Sequence, residues 1–78
     1  MVRLKMLGVL ASLQTERDGE GFMNIVSGDT TLGELIAMTP LRGTSIKYSA
    51  LVNNHVARPA SPVKDGDLVT IMPLMAGG

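Results

Sequence analysis

The 78-residue chain predicts an α+β domain, a mixed sheet of four to five strands with one short helix packed on one face. Three observations predict it. Val2, Leu4 and Met6 alternate with Arg3 and Lys5, the period of a strand with one buried face. Leu32, Leu35 and Ile36 fall at i, i+3 and i+4, the spacing of one helical face. A last apolar run, Leu68 to Met72, follows a turn signal close to the C-terminus. A chain of this length forms one domain and buries only about 60% of its unfolded surface, so its core is thin.

In order along the chain, Val2 to Leu10 reads as the first strand and the polar, glycine-bearing stretch Thr15 to Gly21 as a wide turn. Phe22 to Ser27 reads as a second strand closing a hairpin. Gly28-Asp29-Thr30-Thr31 interrupts it, and Thr31 with Glu34 fits a capping box, in which each side chain satisfies an orphaned backbone N–H. Pro40 cannot continue a helix interior, so the helix spans roughly 31–39. The connector Leu41 to Lys47 has no assigned structure. Ser49 to Val52 is a strand, and Val56-Ala57 pairs back on it after a turn at Asn53-Asn54-His55. Pro59 and Pro62 mark an irregular loop, and Asp65-Gly66-Asp67 is the turn that feeds the strand Leu68 to Met72. Pro73 limits the ladder to an edge or a strand end. No internal repeat or low-complexity segment interrupts this order. If the first and last strands pair in parallel, the helix lies in the crossover between two hairpins, an arrangement known as the β-grasp, or ubiquitin-like, fold.

Composition removes most functional classes. The chain has no Cys, so disulfides, thiolate metal sites and a cysteine nucleophile are absent together. A single histidine, His55, leaves a His-based metal site or catalytic triad without partners, so no catalytic or metal-ligating residue is expected. Seven basic and seven acidic side chains balance without a cluster, and Phe22 and Tyr48 are the only aromatics, which argues against nucleic-acid binding. No apolar run approaches a membrane span, and the start carries no signal-peptide pattern. The expected location is the cytoplasm.

The C-terminal third narrows the reading. Leu51-Val52-Asn53-Asn54-His55-Val56, then Lys64-Asp65-Gly66-Asp67 and the run Leu68 to Met72, leads into Pro73-Leu74-Met75-Ala76-Gly77-Gly78. This closely resembles the ThiS/MoaD family of sulfur carriers, in which a "VN" hairpin precedes a "DGD" turn, an apolar strand and a tail ending in Gly-Gly. Val2 to Leu10 and Thr31 to Met38 resemble the family's first strand and helix. The opening Val2 to Gly8 and the ending from Pro73 look more like the small subunit of molybdopterin synthase. The segment between helix and third strand is shorter than in typical molybdopterin members and the last strand lacks their Phe, while Val56-Ala57-Arg58-Pro59 resembles the thiamine branch.

The resemblance implies a β-grasp domain over residues 1–73 and a flexible tail over residues 74–78. It implies that Gly78 is the site of adenylation and thiocarboxylate formation, and that Gly77 and Ala76 thread the tail into narrow channels of partner enzymes. Leu74, Met75 and Met72 are the expected docking residues, since Met adapts its shape to more than one surface. ATP and magnesium would be used by an adenylating enzyme, with no cofactor held stably by the chain. The second partner would be a sulfur acceptor, either the large subunit of molybdopterin synthase or thiazole synthase. A ubiquitin-like modifier joined to lysines and a plain interaction module remain as competing readings. An enzyme ranks last, because no nucleophile–base pair can be assembled.

Overall fold

The computed structural model describes residues 1–26 and 28–74. Seven strands form: β1 (Val2–Met6), β2 (Met23–Ile25), β3 (Thr30–Thr31), β4 (Tyr48–Val52), β5 (His55–Ala57), β6 (Pro62–Val63) and β7 (Leu68–Pro73), with the helix α1 (Leu32–Ala37) between β3 and β4. Five of them make a mixed sheet in the order β2-β1-β7-β4-β5. β1 and β7 are parallel, with Leu4 opposite Val69 and Met6 opposite Ile71, while β1–β2, β4–β7 and β4–β5 are antiparallel. The chain therefore adopts the β-grasp arrangement, with the first and last strands side by side and α1 in the crossover.

The strand period sorts the residues onto two faces. Val2, Leu4 and Met6 of β1, Met23 of β2, Ala50 of β4 and Val69 and Ile71 of β7 are buried together with Leu32, Leu35 and Ile36 of α1. This is the whole core, one sheet face against one helix stripe. Leu10, Leu41 and Val63 close its ends.

Several boundaries differ from the sequence expectation, each for a local reason. The first strand stops at Met6 rather than Leu10, because Gly8 has φ +56° and the chain turns there into a 3-10 helix, Gly8–Leu13. That turn buries Leu10 and brings in Gln14, which is almost fully buried. The Gln14 side-chain oxygen accepts the Met6 N–H at 3.0 Å, and its amide donates to the Glu16 and Gly21 carbonyls at 2.9 and 2.8 Å. Gln14 thus replaces the strand neighbour that β1 loses and folds the wide loop back against it. The second strand is only Met23–Ile25.

The stretch around Pro59 and Pro62 is not wholly irregular. Pro62–Val63 pairs antiparallel with Thr30–Thr31 as a separate two-stranded sheet. The preceding loop carbonyls then satisfy the helix start, since Leu32 N–H donates to Ser61 O and Gly33 N–H to Pro59 O, both at 2.9 Å. A Cβ on Gly33 would lie 3.2 Å from the Pro59 oxygen, a tight contact that a side chain here would have to relieve by shifting the loop. The cap is half of the expected box. Thr31 Oγ1 accepts the Glu34 N–H at 3.2 Å, but the Glu34 carboxylate accepts from the Thr31 hydroxyl rather than from a backbone N–H. The helix itself ends two residues earlier than expected, Leu32–Ala37, and the connector contains a 3-10 turn, Pro40–Gly43, capped by Thr39.

Replacing Gln14 by Ala leaves the Met6 N–H without its acceptor and opens a small void. A loss of about 1–3 kcal/mol is expected, read as a lower urea midpoint at unchanged slope.

Candidate functional site

The candidate site is the C-terminal end of β7 and what surrounds it. β7 lies in the middle of the sheet, bonded to β1 on one edge and β4 on the other. Its start is fixed by the two signature turns. Asn53 and Asn54 are the only described non-glycine residues at positive φ, +51° and +68°, and they make a two-residue hairpin turn of the kind that matches strand twist. His55, expected in the turn, is instead the first residue of β5, opposite Val52, and is solvent-exposed.

Asn53 is more than a turn residue. Its N–H donates to Leu68 O at 2.7 Å, its side-chain oxygen accepts the Leu68 N–H at 2.9 Å, and its amide donates to Asp67 Oδ1 at 3.0 Å. Asp67 Oδ2 accepts the Lys64 N–H at 2.8 Å, closing the Asp65-Gly66-Asp67 turn, and its carbonyl accepts the Arg3 N–H at 3.1 Å. Asp65 pairs with the N-terminal amine, and Gly66 N–H donates to Met1 O. The two motifs are therefore one hydrogen-bonded staple at the end of the sheet opposite to the tail.

At the other end, Leu7 N–H donates to Ile71 O at 2.9 Å and Leu74 N–H donates to Lys47 O at 3.0 Å. Pro73 still pairs with Tyr48, so β7 runs one residue further than the sequence indicated. The proline is tolerated because residues 68, 70, 72 and 74 share one bonding phase toward β4, and Pro73 falls between them.

Met72 is half-buried and Leu74 is 53% exposed, and both fall on the sheet face turned away from α1. The register adds neighbours to them that sequence reading passed over. Val56, Leu51, Thr70 and Lys5 form a row across β5, β4, β7 and β1 on that same face, and Leu68 lies one pair further along β7. Val56 is 78% exposed. The signal was present in the alternation within Tyr48 to Val52, but which strands would lie side by side was not. Met75, Ala76, Gly77 and Gly78 lie outside the described residues.

The far edge of this face is electrostatically closed. Asp18 accepts from the Glu20 and Phe22 N–H groups, from Asn24 Nδ2 and from Arg3 Nη2, at 2.8 to 3.1 Å. Arg3 also meets Glu20 and lies 4.2 Å from the centre of the Phe22 ring, with Lys5 at 5.1 Å. Arg3 is thus held by the loop rather than being a solvated side chain. The Phe22 backbone N–H, then the Asn24 amide, hold the Asp18 carboxyl well below the ordinary aspartate value of 3.8, and the Lys64 N–H, then Asn53, lower Asp67.

Among the described residues, no three His, Asp or Glu side chains come together to hold a metal. One surface depression of about 480 Å³ lies under the end of α1, lined by Thr15, Met38, Thr39, Pro40 and Arg42, and offers no acid–base pair. A second, of about 340 Å³ between α1 and β4, is lined by Leu32, Ile36, Ala50, Ala57 and Pro59 together with Tyr48 and Ser49. No described helix is long and apolar enough to cross a membrane.

Comparison with known proteins agrees with this architecture. The ThiS family model matches residues 9–78. The crystal structure of SAMP1 from Haloferax volcanii superimposes with a TM-score of 0.70 at 21% identity, covering 99% of this chain and 98% of that one. A subunit in the complex of subunits 1 and 2 of the molybdopterin-converting factor from Helicobacter pylori 26695 superimposes with a TM-score of 0.62 at 23% identity, covering 99% and 97%. At these identities the two structures establish a shared fold. No curated protein sequence gives a significant match.

Both lowered carboxyls predict acid-sensitive stability. The unfolded chain takes up these protons near 3.8 and the folded chain only at lower pH. Their stabilisation is therefore complete above that value and is lost as pH falls below it. Urea midpoints followed from about pH 5 down to about pH 2 should decline, and Asp67→Asn should flatten part of that decline.

Proposed function

This chain belongs to the ThiS family of ubiquitin-like sulfur carriers, and from that premise we propose that it carries sulfur as a thiocarboxylate on Gly78 and passes it to a cofactor-building enzyme. The observation that carries the reading is the family match reaching through the terminal Gly77-Gly78. Carriers of this kind are in general not catalytic, and in this reading the chain is a protein substrate.

A carboxylate is a poor electrophile because its leaving group would be oxide. An adenylating enzyme using ATP and magnesium converts the Gly78 carboxylate into an acyl-adenylate and releases pyrophosphate. A persulfide sulfur then attacks the carbonyl carbon and expels AMP, and a thiol cleaves the resulting acyl disulfide to leave the thiocarboxylate. Every catalytic group in these steps belongs to partners. This chain supplies a tail without Cβ atoms at Gly77 and Gly78, which can approach the nucleotide closely, preceded by Ala76. The outer sheet face, with Met72, Leu74, Val56 and Leu51, is the docking surface in this reading, and Met75 is a further docking residue by its place in the sequence. In this reading the carrier works in the cytoplasm.

We favour a sulfur acceptor of the molybdopterin-synthase type. The sequence likeness of Val2 to Gly8 and of the ending from Pro73 supports it, and the Helicobacter pylori protein of this shape is one of two subunits of a molybdopterin-converting factor. Thiazole synthase is the second acceptor, on the name of the matching family and on Val56-Ala57-Arg58-Pro59.

Intact-mass spectrometry after incubation with ATP, magnesium, a sulfur donor and the cognate adenylating enzyme tests the reading. A gain equal to one oxygen replaced by one sulfur is expected on Gly78, and Gly78→Ala should abolish it while the fold persists. Absence of that gain with an enzyme active on another carrier refutes the proposal, and higher-mass lysine conjugates instead would make the chain a modifier. Val56→Glu or Leu74→Glu should raise the apparent KM for the adenylating enzyme on the order of tenfold with kcat little changed.

A further inference from the structure

Pro73 ends the parallel ladder as well as the strand. Arg3 N–H donates to Asp67 O and Leu7 N–H to Ile71 O, so by this alternation the next donor toward β1 would be residue 73. Proline has no N–H to give, and at the same level β1 has already given way to the turn at Gly8. The Pro73 ring occupies that place. A Cβ built on Gly8 would lie 3.0 Å from Pro73 Cγ and 3.6 Å from Cδ, so the ring sits against bare glycine backbone. Gly8 also holds φ +56°, a conformation that L side chains adopt at a cost.

The last described residues are thus held at three points. Leu7 fixes Ile71 from the β1 side, Lys47 fixes Leu74 from the β4 side, and Gly8 receives the ring between them. The first two are backbone hydrogen bonds that most residues could make. The third depends on side-chain identity at two positions. Four residues follow Leu74, so Pro73 and Leu74 are the held point from which the terminal carboxylate is reached.

We infer that Gly8 is a positioning residue for the sulfur-carrying terminus, holding Pro73 in place at the sheet end from which the last four residues start. The inference rests on the carrier function proposed above. It makes a particular demand on kinetics. Gly8 contributes no side chain to the docking face of Met72, Leu74, Val56 and Leu51, and Leu74 stays bonded to Lys47 without it, so docking survives its substitution. Delivery of the carboxylate to the nucleotide does not, because small displacements of a reacting group reduce rates steeply.

The experiment is steady-state adenylation of wild type, Gly8→Ala, Pro73→Ala and the double variant, at a temperature where circular dichroism shows each folded. Expected for Gly8→Ala is a kcat reduced on the order of tenfold or more with KM within about twofold. Pro73→Ala, which adds no atoms, should show the same pattern, and it carries the test alone if Gly8→Ala does not fold. The double variant should be no slower than the slower single, since one change crowds and the other deletes the same contact. Wild-type kcat in folded Gly8→Ala, a loss confined to KM, or effects that multiply in the double variant would each overturn the inference while leaving the carrier function intact. Failure of the wild-type chain to be adenylated by an active enzyme would overturn the carrier function and this inference with it.

Discussion

The rest of the molecule depends on the pairing of β7 between β1 and β4. The chain ends immediately after a strand that is hydrogen-bonded along both edges, where a terminal strand would more often be free to fray. Two opposed requirements meet there. In the carrier role proposed above, the terminal carboxylate must extend clear of the domain, and the residues just before it must hold a fixed place against a docked partner. Putting the last strand at the centre of the sheet meets both, because the ladder is anchored through Leu74 N–H and only four residues remain beyond it.

This placement also explains what the signature residues do. Asn53 and Asp67 touch no reacting atom. They tie the β4–β5 turn to the entrance of β7, and Asp67 carries the connection on to β1 through Arg3 N–H. The "VN" and "DGD" motifs therefore register three strands against one another at the end of the sheet away from the tail. They are informative about function only because the strand they align is the one that delivers the terminus. The lowered Asp67 carboxyl follows from the same backbone and amide donors.

A thin core sets the division of labour between the faces. The inner face is consumed by α1, and every large side chain it carries is needed there. The outer face contributes no comparable burial, so its apolar residues are available to partners. The loop pinned by Asp18 and Arg3 covers one side of that face and leaves the Met72–Leu74 side open. The carrier role proposed above requires no internal cavity, because its chemistry would lie beyond the last strand.

The sequence by itself determined the α+β class, the order of the five principal strands and the helix, the inward sets Val2/Leu4/Met6 and Leu32/Leu35/Ile36, and the candidate terminus. These are local properties: strand and helix periods, proline and glycine punctuation, and a motif in a fixed order. The tertiary structure decided what depends on contact between distant segments. Gln14 reads as an ordinary polar residue until Met6 N–H needs an acceptor, and Pro62–Val63 reads as loop until Thr30–Thr31 lies beside it. The stop at Gly8 and the row Val56–Leu51–Thr70–Lys5 likewise exist only once β7 lies between β1 and β4. A period of two assigns each residue a face, but the register that makes neighbours across strands is set by hydrogen bonds between residues far apart in the chain.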